Sequence, residues 1–324
     1  MARRHSLTLG DVARVVGSGR ESQRRRSEGV SLAVMVGEGA SATIARAVRE
    51  ALLPQNETTF VSALPLGSQV PAGLDALVVL PGSPEAAADR AVEAARMGTP
   101  AAILVCSQVE ERPILASEQV ASLVTYLSAA DERVAVDKLC EWLVGACPSK
   151  SIALAAGIPA CRQGVVRSLV RSSALANVGV GVVDLLPGAD LPVMAASQAR
   201  LAFDVAAAYD RRLSVSDFGL IAGGVVLAGL GYRSVSRSVS RALPPLAWAV
   251  RGGVAFAGTV VTGAVASACA SGTTPQGVAE AAVGGIGKGV EELSARLSQI
   301  LRQRGREGHR PAGSVYISLG GDGE

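Results

Sequence analysis

Short apolar runs alternate with helix-spaced segments along residues 30–146, and this alternation constrains the fold more than any single motif. Val30–Val36 is almost uninterruptedly apolar, the mark of a strand buried on both faces. Thr58–Leu64, Asp75–Leu80, Pro100–Cys106 and the short Arg133–Val136 read as further strands. Between them, Ile44–Leu53 (with Ser41 as its N-cap), Ser83–Met97, Ser117–Leu127 and Lys138–Ala146 read as helices. Strands joined through helices pair in parallel, so this stretch predicts a parallel α/β sheet of Rossmann or GTPase type.

The pattern changes after Lys150. Strand-like alternation gives way to Ala-, Val- and Gly-rich helical sequence, in which Arg162, Arg167 and Arg171 are spaced to share a helix face. Asp190 opens a helix running to Tyr209, with Pro192 in its first turn. Val290, Leu293, Leu297, Ile300 and Leu301 form an amphipathic stripe. The expected organisation is a basic N-terminal segment (residues 1–29), an α/β domain (30–150), a Gly/Ala-rich all-α domain (151–305) and a C-terminal tail (306–324). In the basic segment, Leu7–Val16 reads as a short helix and Arg24–Arg26 as a solvated linker.

Charge follows these divisions. Residues 1–29 hold 7 basic and 3 acidic side chains, residues 30–150 hold 8 and 14, and residues 151–324 hold 16 and 11. An acidic middle between basic flanks suits anionic lipid or nucleic acid at the flanks, or, since no basic stretch is long, simply a solvated surface. Of these, lipid rather than nucleic acid is the expected partner. Hydrophobic residues make up 49% and aromatics 3%, so the apolar content consists of small and aliphatic side chains that let helices approach closely.

Chemistry-bearing residues are sparse. The two histidines, His5 and His309, lie near the termini, which removes His-based triads and zinc sites. The five cysteines, Cys106, Cys140, Cys147, Cys161 and Cys269, show no CxxC pair and read as dispersed buried thiols in a reducing compartment. Neither a metal nor a cofactor is expected. The strongest local candidate is the Gly37–Ala42 loop, which fits GxGxxA between a strand and a helix. Gly37, Gly39, Ser41 and Thr43 are its candidate nucleotide-binding residues. Two features oppose that reading: Glu38 stands where phosphate would sit, and Ala63 and Leu64 stand where a dinucleotide site needs an acid. Read as a P-loop, the segment ends Ala42-Thr43-Ile44 and lacks the phosphate lysine. Gly284–Gly289 matches a P-loop in composition only. Asn177, Asp184 and Asp190 stand in apolar surroundings, either as a shared polar site or as caps and turns.

Two uncharged stretches, residues 218–232 and 252–272, raise the question of membrane insertion, with Gly219 and Gly223 spaced for close helix packing. The first is short and the second diluted by Gly, Ser and Thr, so a water-soluble helical bundle is the rival expectation.

The helical half resembles the GTPase-associated domain of unknown function 697 found in YcjF-like proteins. The resemblance is carried by Asn177, Gly179, Pro187-Gly188-Ala189-Asp190-Leu191-Pro192, Gln198 and Ala208-Tyr209. It continues through Leu230-Gly231-Tyr232-Arg233, Trp248-Ala249-Val250-Arg251-Gly252 and Gly258-Thr259. It implies an α/β domain of GTPase type ahead of the helices, and a place at the cytoplasmic face of the inner membrane or in the cytoplasm. It makes Asn177, Pro187, Gly188, Asp190, Gln198, Tyr209, Trp248 and Arg251 the motif residues. The GTPase signatures are missing: the phosphate lysine and a D-x-x-G sequence are absent, and Cys106-Ser107-Gln108-Val109 occupies the base-reading position. The expected function is therefore a membrane-associated scaffold or regulator that binds membrane lipid or a membrane protein without turnover. The alternatives are a nucleotide- or NAD(P)-binding enzyme using the Gly37–Ala42 loop, and a soluble helical interaction protein.

Overall fold

A computed structural model describes residues 9–82, 84–105, 118–182, 190–212 and most of 247–284. Five strands form one all-parallel sheet: β1 (Val30–Val36), β2 (Thr59–Pro65), β3 (Ala76–Leu80), β4 (Ala101–Val105) and β5 (Val124–Ser128). Their spatial order is β2-β1-β3-β4-β5, one of the two common doubly wound orders, with its switch point between β1 and β3. The central strands β1 and β3 are buried nearly throughout, as a strand covered on both faces must be.

Helices cover the two faces unequally. On one face, α2 (Ala42–Ala51) and α5 (Glu132–Ala146) place Ile44, Val48, Leu139 and Leu143 against Leu32, Val34 and Val78. On the other, the alanines of α3 (Pro84–Arg96) pack on Ala33, Met35, Leu77 and Val79. The helix α4 (Glu118–Leu123) leads directly into β5.

Two expectations fail here. Ser117–Leu127 does not continue as a helix, because the run from Val124 pairs in register with β4, Ala101 opposite Val124 and Val105 opposite Ser128. Nor is Arg133–Val136 a strand. Asp131 caps α5, its carboxylate accepting from Val134 N at 2.8 Å, which places these residues in the first turn of that helix.

Beyond the sheet, α6 (Ser151–Gly157), a 3-10 turn at Pro159–Cys161, α7 (Arg162–Val182), α8 (Asp190–Ala208) and α9 (Ala247–Ser271) pack on one another. The first helix, α1 (Leu9–Arg26), is longer than Leu7–Val16. Arg24–Arg26 form its last turn rather than a linker, because α1 lies against α8. Ser22 Oγ donates to Asp204 Oδ1 at 2.5 Å, Arg25 reaches Asp204 at 3.5 Å, and Arg26 pairs with Asp210 at 2.8 Å.

The sheet and the later helices meet at specific points. Gln55 N donates to Gly157 O at 2.8 Å. Lys150 pairs with Asp75 at 2.7 Å, and Asp75 also accepts from Ser31 N at 2.9 Å. A Cβ on Gly157 would lie 2.6 Å from Thr59 Cβ, so only glycine lets α6 end against the start of β2.

Candidate functional site

The turn from β1 into α2 is built mainly from its own backbone. Gly37 N donates to Leu80 O at 2.8 Å, and Ala40 N donates to Gly37 O at 3.1 Å. Gly39 holds φ +84, a left-handed conformation that glycine adopts without steric cost. Ser41 caps α2, its Oγ accepting from Ile44 N at 3.5 Å and standing 3.0 Å from Thr43 Oγ1.

Across the switch point lies Gly82, just past β3. A Cβ on Gly82 would overlap the Glu38 carbonyl and lie 2.5 Å from its carbon, while a Cβ on Gly37 would lie 2.7 Å from Gly82 N. The two loops therefore touch backbone to backbone. A phosphate-cradling loop needs amide donors turned toward the ligand and an open approach to the backbone. Here the Gly37 and Ala40 donors are engaged within the protein, and Gly82 closes the approach.

What remains is a cavity of about 310 Å³, lined by Gly37, Glu38, Leu66, Gly67, Gly82, Asp89 and Arg90. Among the described residues that line it, Glu38 and Asp89 carry carboxylates and Arg90 a positive charge, and Arg90 is itself paired with Glu93. Phosphate would meet net negative charge there. Gly37, Gly39, Ser41 and Thr43 are thus brought together in one turn, with local contacts that account for each of the four.

Several motif residues converge among the helices. Asn177, on α7, donates its Nδ2 to Thr259 Oγ1 of α9 at 2.8 Å, and both side chains are buried. Gln198, on α8, lies opposite Gly258 of α9, within 3.7 Å of where a Cβ would stand. Tyr209, just past α8, lies under the Arg162 guanidinium at 5.5 Å. Asp190 opens α8, and Trp248 and Arg251 fall in the first turns of α9. Pro187, Gly188 and Asp184 lie outside the described residues, as do residues 218–232, the Val290–Leu301 stripe and Cys106. Asn177 is a buried tie between α7 and α9.

Sequence reasoning missed two polar centres. Arg162 was legible only as a member of an arginine face. In the structure its Nε donates to Ala155 O at 3.2 Å and Ala208 O at 3.3 Å, and its Nη2 to Ala156 O at 3.4 Å. One guanidinium thereby satisfies helix-end carbonyls of both α6 and α8. Asp204 is buried beneath α1, and desolvation raises its pKa above the usual carboxylate value despite the opposing Ser22 hydrogen bond and Arg25 charge. Neither residue stands in a recognisable motif.

Among the described residues, no group of three or more His, Cys, Asp or Glu side chains is arranged to hold a metal ion. Nor is any described helix long and apolar enough to cross a membrane. The helix containing most of residues 252–272 is α9, with Phe256, Val261, Val265 and the polar Thr259 and Thr262 all buried. Comparison with protein-family models, curated proteins and solved structures finds no match for this chain.

Proposed function

We propose that this protein is a non-catalytic scaffold or regulator of the GTPase-associated type, acting by binding at the cytoplasmic face of a membrane. The observation that carries the reading is the closed switch point. In a doubly wound sheet, ligands bind in the crevice outside the carboxyl ends of the strands at that point. Here Gly82 and Glu38 meet across it, the Gly37 amide is bound to Leu80, and Glu38 and Asp89 line the remaining space. Membrane association on this reading is peripheral for the described helices, with basic side chains meeting anionic headgroups.

The test has two arms. Thermal unfolding of the full chain is followed with GTP, ATP or NAD(P) present, since a ligand that binds only the native state must raise its apparent stability. No shift is expected with any of them. A saturable shift that disappears on Ser41→Ala would sink the non-nucleotide reading and restore the enzyme alternative. In flotation with anionic and neutral vesicles, the chain is expected to rise with anionic vesicles only and to be released by salt. Failure to float with either would remove the membrane from the proposal.

A second reading, a helical interaction protein, draws support from a groove of about 1050 Å³ along α7 and α9. Val166, Val170, Phe256 and Val260 line it, with Arg167 and Arg171 facing it from α7. Retention of a protein partner by the full chain in salt that strips the vesicles would favour this reading.

A further inference from the structure

The groove along α7 and α9 has an apolar floor. Val166 and Val170 of α7 and Phe256, Val260 and Ala264 of α9 line it, each set at helical spacing on one face of its helix. The α9 side runs from Phe256 to Ser271, about 20 Å at the helical rise per residue. Gly263 brings the two helices close, since a Cβ there would overlap Val170. The chain then supplies a third wall. Gly272, at φ +78, turns the chain at the end of α9, and Thr274 Oγ1 accepts from Gly277 N at 3.3 Å. Glu280, Ala281 and Gly284 come back to line the same groove. Its volume, about 1050 Å³, is at the upper end of the range for small-molecule sites.

The charges of this groove lie on its rim. Arg167 and Arg171 stand one turn apart on α7, and both are exposed. Among the described lining residues, Glu280 carries the opposing charge. Asp137 and Glu141 line the neighbouring cleft on the far side of the arginines, and no carboxylate of the described residues is ion-paired with either arginine. Arg162, earlier on the same helix, is by contrast taken up by the carbonyls of α6 and α8.

An apolar trough with two guanidinium groups along one rim matches an alkyl chain that ends in an anion. Arginine holds a carboxylate through paired N–H donors, and the chain gains in proportion to the apolar surface it buries. A bilayer keeps its chains inside and would offer the arginines headgroups alone, leaving the trough unfilled. We propose that the groove between α7 and α9 binds a free, single-chain anionic amphiphile of the fatty-acid class, with its alkyl chain along Val166, Val170, Phe256 and Val260 and its carboxylate on Arg167 and Arg171. The site does not depend on whether the chain also docks on a membrane.

The test titrates the full-length protein with dodecanoate, below its micelle concentration and without vesicles, and follows binding by calorimetry. One saturable equivalent is expected. Decanoate should bind several-fold more weakly, since each methylene withdrawn from apolar contact weakens binding by up to about 4-fold. Dodecyltrimethylammonium, with the same chain length and the opposite charge, should bind about 10-fold more weakly or not at all. Arg167→Gln with Arg171→Gln should weaken dodecanoate about 10-fold and leave the urea midpoint unchanged, because both side chains are exposed. Ala264→Trp, which places a ring in the trough, should abolish binding; if that variant unfolds, the arginine pair still decides. Absence of saturable binding by the wild-type chain would overturn the proposal, as would equal affinity for the cationic amphiphile or an unweakened arginine variant. If the arginine variant loses both dodecanoate binding and flotation with anionic vesicles, the arginines belong to a bilayer-docking surface and the free amphiphile is refuted. A protein partner retained by the wild-type chain and lost from Ala264→Trp, with dodecanoate unbound by either, would give the groove to that protein instead.

Discussion

Replacing Gly82 with alanine tests the closure of the switch point directly. The new Cβ would lie 2.5 Å from the Glu38 carbonyl carbon and 3.3 Å from Gly39 N. Carbon atoms in favourable contact sit about 3.5–4.0 Å apart, and the Glu38 carbonyl oxygen lies nearer still, so the two loops must separate by more than about 1 Å. Because the obstructing atoms are backbone, no side-chain rotation relieves them. Overpacking of this kind costs about 1–3 kcal/mol. Moving the Gly37 loop also strains the Gly37–Leu80 hydrogen bond, worth about 1 kcal/mol. The expected loss is about 2–4 kcal/mol, read from urea unfolding of the full chain, with an unchanged slope against denaturant. Gly67 lines the same cavity and would carry a Cβ with nothing within 4 Å. Gly67→Ala should therefore be neutral, or stabilising by about 0.4–1 kcal/mol. A Gly82→Ala protein within about 0.5 kcal/mol of wild type would refute the backbone closure and the functional reading built on it.

Three further outcomes follow from the helices. Asn177→Ala removes the buried bond to Thr259 and should cost about 1–3 kcal/mol; a double-mutant cycle with Thr259→Val should show coupling, and strict additivity would contradict the contact. Arg162→Lys keeps the charge but loses the planar fork that reaches Ala155, Ala156 and Ala208. Amide exchange should speed up at the ends of α6 and α8, and unaltered protection there would argue against the bridge. Asp204 has its folded pKa raised, mainly by burial. The protonated form is thus favoured in the native state, and this stability is fully present below the unfolded value of 3.8 and lost as pH rises through the folded pKa. The stability advantage of wild type over Asp204→Asn should accordingly shrink as pH rises from about 4. A constant or growing advantage over that range would show that the carboxylate is not desolvated.

Much of the sheet was legible because its signals are local. A strand covered on both faces must be apolar along its length, so Val30–Val36 and Ala76–Leu80 declare themselves. The turn Gly37–Ser41 was equally local, with glycine at the left-handed Gly39 and a serine capping α2. The errors came where two local readings compete. The segment Val124–Ser128 can extend a helix or pair with β4, and the free sheet edge beside Ala101–Val105 decided it. At Arg133–Val136, a reading as a short strand was overruled by the Asp131 cap.

By itself, the sequence determined that an acidic region of parallel α/β pattern precedes small-residue helices, and that the Gly37–Ala42 loop lacks a phosphate lysine. Only the tertiary structure decided what the polar residues among those helices do. Asn177 meets Thr259 across 82 positions, and Ser22 and Arg25 meet Asp204 across more than twice that separation. Hydrophobic periodicity records which face of an element is buried, but not which other element buries it. That pairing depends on the path of the whole chain, and so the closed switch point and the Arg162 bridge emerge only once the elements are packed.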